Sequence, residues 1–451
     1  MADLAKYYTY LMHLPAPIKE AEVNAETIER QSLIFTNGAV AETSVSNVTE
    51  LFVRASGVRT GYAYTQDLAE EPEQVIKRAY QNSEVVERDG KDQLNTSQTV
   101  KQVLKPTQAE HSSFDSLKQQ AQICESMMRQ SNEQILNTTT TIRADHRSSH
   151  VINSNGVNLE SHKTVYYANI TVMATYNGLD YNASLEATAT SLTGFNYTHI
   201  CDKINNILKY QINPVKLETG YYKAVLDATA GVNIMMTAWQ LFSGMKYNDG
   251  SSALAGKLGE QIGSEAFSVK NVPNHPLTGY TYDFDCEGSP VQTQTLVECG
   301  KLNALMENLA SAGERRMAST GNAGRYALLS GTIPTDIIIT PTIFYIEASE
   351  QSIDELLEKM GDGIYITESY DVFHSINIAS GEFSIPCRGV IVKNGKIEDA
   401  VTNLTISGNL QELFQSVLAT GSDLYIEEFL RQSYAVGSPS MLVDKLHITG
   451  K

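Results

Sequence analysis

Three places in this chain hold residue types that could do chemistry. Asp145, His146 and His150 have a spacing at which two imidazoles would converge on zinc if the segment were helical. The surrounding text, TTTTIRADHRSSHVINSNG, instead reads as extended. Four strand residues separate side chains by about 13 Å, too far for one ion held about 2.0 to 2.1 Å from each nitrogen. The two histidines are therefore expected on a polar strand surface. Cys387 could serve as a thiolate, with Arg388 beside it lowering its pKa. Free cysteines are among the most buried residue types, so a packed strand cysteine is the expectation. Asn322 and Arg325 lie in the glycine-rich turn STGNAGR, where they could bind a carboxylate or a peptide backbone. Ordinary turn chemistry would explain them equally well. GNAG lacks a following G-K-[ST], and no G-x-S-x-G elbow occurs, which demotes phosphate binding and serine hydrolysis.

The elements that must position these residues can be read from periodicity. Residues 32 to 65 alternate apolar and polar positions around Asn37-Gly38, the positive-φ pair of a two-residue hairpin. Pro72 among Glu70, Glu71 and Glu73 starts a helix, in which Val75/Ala79 and Ile76/Tyr80 recur at i, i+4. Phe114, Leu117, Ala121, Cys124 and Met128 form the stripe of a second helix over 112 to 130. From 138 to 190 the alternation returns around Asn155-Gly156 and Asn177-Gly178, predicting long antiparallel strands. INPVKLETGYY then suggests a boundary, which divides the chain into residues 1–215 and 216–451.

The second part is expected to open on a strand, YYKAVLD, and to carry helices over 231 to 242, 301 to 312, 352 to 360 and 409 to 419. Ser352-x-x-Glu355 resembles a capping box, with Gly361 as the stop. Strands are expected over 334 to 347 and 373 to 406, the latter turned at Asn394-Gly395. Helices and hairpins come in blocks, so the fold class is α+β, a two-part chain with helices packed on largely antiparallel sheets.

Composition limits the function. The chain has 451 residues, 42% of them apolar, enough to bury a substantial core. A net charge of −18 with no basic patch argues against direct contact with nucleic acid. No stretch approaches the roughly 20 apolar residues of a membrane span, and the start lacks the pattern of a signal peptide. Five scattered cysteines with no C-x-x-C pair fit a reducing compartment, so a cytoplasmic protein is expected.

Five blocks carry a resemblance: STGNAGR (319 to 325), GDGIYITE (361 to 368), SGEFSIPCRGVIVKNGKIEDAV (380 to 401), TISGNLQELFQSVLATGSD (405 to 423) and VGSPSMLVDKLHITG (436 to 450). In this order they resemble the C-terminal blocks of TldD/PmbA proteins. ASGVRTGYAYTQDL (55 to 68) and VINSNGVNLE (151 to 160) are similar to the family's first and middle regions, so the resemblance covers nearly the whole chain from about residue 30. It implies a heterodimeric zinc peptidase in which the TldD subunit carries an H-E-x-x-x-H helix and a later cysteine ligand. In this chain the corresponding helix is AGVNIMMTAWQLFSG, and Met235, Met236 and Gln240 fall where His, Glu and His are expected. No cysteine follows Cys387.

The resemblance thus implies a PmbA/TldE-like, non-catalytic subunit with no metal site of its own. Zinc is expected in a TldD-type catalytic partner, although a homodimer is the other possible assembly. The substrate is expected to be an unfolded or flexible peptide, with Asn322 and Arg325 as candidate contacts. A non-enzymatic modulator linked to DNA gyrase, or a self-sufficient hydrolase of unknown chemistry, are the alternatives.

Overall fold

The computed structural model describes residues 4–85, 92–97, 112–279, 281–325, 336–429 and 433–450. After a short helix α1 (Leu4–Leu11), the first part is built on six antiparallel strands: β1 (Glu20–Thr36), β2 (Ala39–Ser56), β3 (Thr60–Thr65), β4 (Ile135–Asn153), β5 (Asn158–Tyr176) and β6 (Leu179–Ala189). Their order is β3-β2-β1-β4-β5-β6. Asn37-Gly38 and Asn177-Gly178 adopt positive φ at both positions, the geometry whose twist matches the strands they join. Helices α2 (Pro72–Val85), α3 (Phe114–Ser131) and α4 (Tyr197–Lys209) pack on this sheet. The stripe expected on α3 is buried, with Leu117, Ala121, Cys124 and Met128 in one core with Ile142, Ala168 and Ile170.

The second part holds two further six-stranded sheets. One is centred on β7 (Gly220–Leu226), which runs parallel to the strand Gly363–Ser369 and antiparallel to Met441–Thr449. Pairing of Thr405–Ser407 with His447–Thr449 closes this sheet on itself. Helix α5 (Ala228–Ala238) packs between it and the second sheet, against Gly363–Ser369 on one side and Tyr434–Ser438 on the other. The two parts share a small apolar cluster, in which Val165 meets Val272, Tyr282 and Ile343. The architecture is α+β. Among the described residues no helix is long and apolar enough to cross a membrane.

Several expected elements differ from the observed ones. Residues 301 to 312 are not a helix: Lys301–Leu302 is a two-residue strand, and only Leu309–Glu314 is helical, started by an Asn308 capping box. Leu302, Leu305 and Met306 have helical spacing, but the left-handed Cys299-Gly300 turn sends them into the core from extended chain. The helix expected over 409 to 419 ends at Gln415, because Val417–Thr420 pairs as a strand with the segment containing Met441 and Val443. Val372–Ser375 is a helical turn, and strands occupy only Glu382–Lys393 and Lys396–Asn409 of the run expected over 373 to 406. Of the strand expected over 334 to 347, residues 334 and 335 lie outside the described residues, and Ile338–Ile339 and Ile343–Ile346 are extended.

Candidate functional site

Helix α5 begins at Asp227, whose carboxylate accepts the Thr229 N–H at 3.0 Å and is paired with Lys203 at 3.1 Å. Gly231 lets the helix approach Tyr434–Ser438 closely: a Cβ there would stand 2.3 Å from the Ser438 hydroxyl. Met235 and Met236 are buried in the main apolar core with Trp239, Phe242 and Phe344. The α-helix ends at Ala238 and continues as a 3₁₀ turn, Trp239–Phe242, where the Gln240 amide donates to the Thr237 carbonyl at 3.3 Å. A zinc site needs imidazole, thiolate or carboxylate donors converging within bonding distance. Two thioethers held in a core and a half-buried carboxamide do not fit that requirement. Among the described residues no group of three or more His, Cys, Asp or Glu is placed to hold a metal ion.

The other residues singled out by type are scattered. His146 and His150 lie on β4, bonded to Thr164 and Asn158 at different levels of the sheet, while Asp145 points to the opposite face and pairs with Arg30 at 2.7 Å. Cys387 is fully buried in the closed sheet, where burial pushes its thiol up to about 12. Arg388 turns away from it to Glu368 at 3.0 Å.

Asn322 and Arg325, by contrast, line a cavity of about 90 Å³ at the junction of the two parts. The first sheet contributes Asn24 and Glu26 from β1, Phe52 from β2, Ser149 from β4 and Lys163 from β5, and the second part contributes Tyr282, residues 284–286 and residues 321–325 among others. The 321–325 turn is rigid for identifiable reasons. Gly321 has φ +77°, and a Cβ would meet Pro290 and Val291 backbone within 2.6 Å. Asn322 has both ends of its carboxamide engaged: it donates to the Thr340 carbonyl at 3.0 Å and accepts from the Thr320 hydroxyl at 2.8 Å. Asp285 ties this turn to its neighbour by accepting N–H groups of Glu287, Ser289 and Ala323 at 2.8 to 2.9 Å.

Beside the cavity, Arg54 is almost fully buried among Glu22 at 2.9 Å, Glu287 at 3.1 Å and Asp92 at 3.7 Å. Burial opposes its charge, but these three carboxylates outweigh it and raise its pKa. Within the cavity burial lowers the Lys163 ammonium to about 8, with Glu26 opposing the shift. Burial likewise raises the Glu26 carboxyl, which accepts the Ser149 hydroxyl at 2.8 Å. The sequence reading reached the turn residues of this cavity and missed Asn24, Glu26 and Lys163. A signal was present: Glu22, Asn24 and Glu26 recur at every second residue of a strand, so three polar groups had to share one face.

A buried helix packed between a closed sheet and a second sheet, joined to a long-stranded antiparallel sheet, defines the class as a two-part α+β protein. The family model described as PmbA/TldA metallopeptidase C-terminal domain matches residues 219–450, and that of PmbA/TldA metallopeptidase domain 1 matches residues 21–83. This chain belongs to the PmbA/TldD family. It is similar to a metalloprotease PmbA homolog of Haemophilus influenzae, 28% identical over 240 residues, which are 53% of this chain and 48% of the relative. A metalloprotease TldD homolog of Buchnera aphidicola is 26% identical over 210 residues, 45% of this chain and 42% of the relative. The chain thus matches about half the length of these curated relatives. Among solved structures, TldE of Thermococcus kodakarensis superposes with a TM-score of 0.81 at 19% identity, over 96% of this chain and 97% of that one. A Thermotoga maritima protein, a proposed modulator of a DNA gyrase, gives 0.82 at 24% identity over 95% and 96%. At these identities the superpositions establish the fold.

Proposed function

We propose that this chain is the non-catalytic, PmbA/TldE-like subunit of a cytoplasmic zinc metallopeptidase that processes unfolded or flexible peptides. The observation that carries the reading is helix α5. With the 3₁₀ turn that follows, it occupies the place where the resemblance puts H-E-x-x-x-H, yet Met235 and Met236 enter the core and Gln240, in that turn, donates to the Thr237 carbonyl. No His-Glu dipeptide occurs anywhere in the sequence. A TldD-type partner would supply the zinc, whose Lewis acidity and activated water are the family's hydrolytic chemistry. This chain's contribution is then to hold an extended substrate beside that centre. Five cysteines, all free, support a reducing compartment. In the absence of a TldD-type partner, the chain would assemble with a second copy of itself.

The test mixes the purified chain with a TldD-type subunit and offers an unstructured peptide and a folded protein. Cleavage is expected only from the mixture, faster on the peptide, and abolished by a chelator. Cleavage by this chain alone, or chelator-resistant cleavage by the pair, would overturn the assignment.

A further inference from the structure

At the junction cavity two buried side chains keep polar atoms without hydrogen-bond partners, donors on one and an acceptor on the other. Arg325 is only 6% exposed and stacks over the Phe52 ring at 5.0 Å, so one face of its guanidinium is covered. Its Nε and Nη2 donors reach no acceptor. Asn24 is 1% exposed and its Nδ2 donates to the Cys286 carbonyl at 3.2 Å, which fixes the orientation of the amide. The Oδ1 left over accepts nothing. Both residues line the same space.

Leaving a buried cation without acceptors is among the more costly things a fold can do, and stacking on an aromatic ring does not replace the missing hydrogen bonds. The neighbouring carboxylates do not relieve it. Glu26 is engaged by Ser149 and lies in the field of Lys163 and Arg147, and Asp285 already accepts three backbone N–H groups. A stacked guanidinium with its Nε–Nη2 edge free is the arrangement that binds a carboxylate through two parallel N–H bonds. The unpartnered Asn24 oxygen asks in addition for an N–H donor. The cavity, about 90 Å³, has room for a carboxylate and the N–H beside it.

We infer that the junction cavity receives the C-terminal carboxylate of a peptide, with Arg325 binding the carboxylate and Asn24 accepting the N–H of the terminal residue. The choice of a peptide rests on the function proposed above. The demand for a carboxylate rests on the cavity alone. A site of this kind would let the subunit hold one end of an extended chain while the rest remains free to reach a partner, and it would discriminate by chain end and not by side chain.

The test uses the full chain alone, without partner or metal, so its outcome is independent of the peptidase reconstitution. Binding of N-acetyl-trialanine as the free acid is compared with its C-terminal amide by calorimetry. The acid is expected to bind at least about tenfold tighter, the contribution of one charge-assisted bidentate contact. Arg325→Gln should abolish the difference without weakening the amide. Arg325→Lys, which keeps the charge but not the fork, should retain part of it and stands in if the glutamine variant does not fold. Equal binding of acid and amide, no binding of either at millimolar concentration, or an acid preference that survives in Arg325→Gln would each overturn the inference. So would a C-amidated peptide that binds as tightly through a glutamate side chain, because the site would then not be reading the chain end.

Discussion

At Asp227 burial alone would favour the protonated acid. The Lys203 ammonium at 3.1 Å, the Tyr365 hydroxyl and the Thr229 N–H outweigh that burial and hold the carboxyl below the usual aspartate range. The sign of the consequence follows from linkage. With the folded pKa depressed, the unfolded chain takes up the proton first, so the stabilisation is present at neutral pH and is lost as pH falls below about 4. Asp227→Asn keeps an N-cap but loses the ion pair, and should cost about 2 kcal/mol at pH 7. The gap between the two proteins' urea midpoints should narrow steadily toward pH 3. A gap independent of pH would mean that the carboxylate's charge contributes nothing at this position.

Among the elements, the best-matched expectations are those in which a local hydrogen bond or a positive φ selects the structure. The helix Ile353–Met360 starts at Ser352, whose hydroxyl accepts the Glu355 N–H at 3.3 Å while the Glu355 carboxylate accepts the Ser352 N–H at 2.7 Å. It stops at Gly361 with φ +74°. Ser352→Ala should therefore lower stability by about 1 kcal/mol, read as a fall in melting temperature, and Ser352→Asp should leave it nearly unchanged. If alanine is neutral, the Leu356, Leu357 and Met360 contacts hold the helix without its cap. The failed helix over 301 to 312 is the converse case. Its apolar spacing was right, but nothing local closed a first turn before Asn308.

For the molecule as a whole, the two parts are joined by the buried charges around Arg54 as well as by apolar contact. Arg54 and Glu22 come from the first sheet and Glu287 from the second part, and Asn95 adds bonds to the Glu287 carbonyl and the Ser289 hydroxyl at 2.9 Å. Removing the guanidinium that Glu22, Glu287 and Asp92 share takes away their common buried counter-charge. Arg54→Met is therefore expected to cost about 3 to 5 kcal/mol. Because the cluster spans the junction, that variant should also unfold in two separate steps by denaturant titration. A single transition at an unchanged midpoint would show that the apolar contacts alone hold the parts together.

The amino-acid sequence by itself determined the α+β class, the long first sheet and its Asn-Gly turns, since alternation and positive-φ pairs act over a few residues. It also carried the family blocks, and with them the Met235, Met236 and Gln240 pattern. Tertiary structure alone decided that Asn322 locks the turn while Arg325 faces a cavity, although the two are only three residues apart. It also brought Asn24 to Arg325 across 301 positions of sequence (325 − 24). The physical reason is the range of the forces. Turn and cap chemistry is set by neighbours along the chain, whereas the burial of a charge and the loss of its acceptors depend on which distant strands close over it.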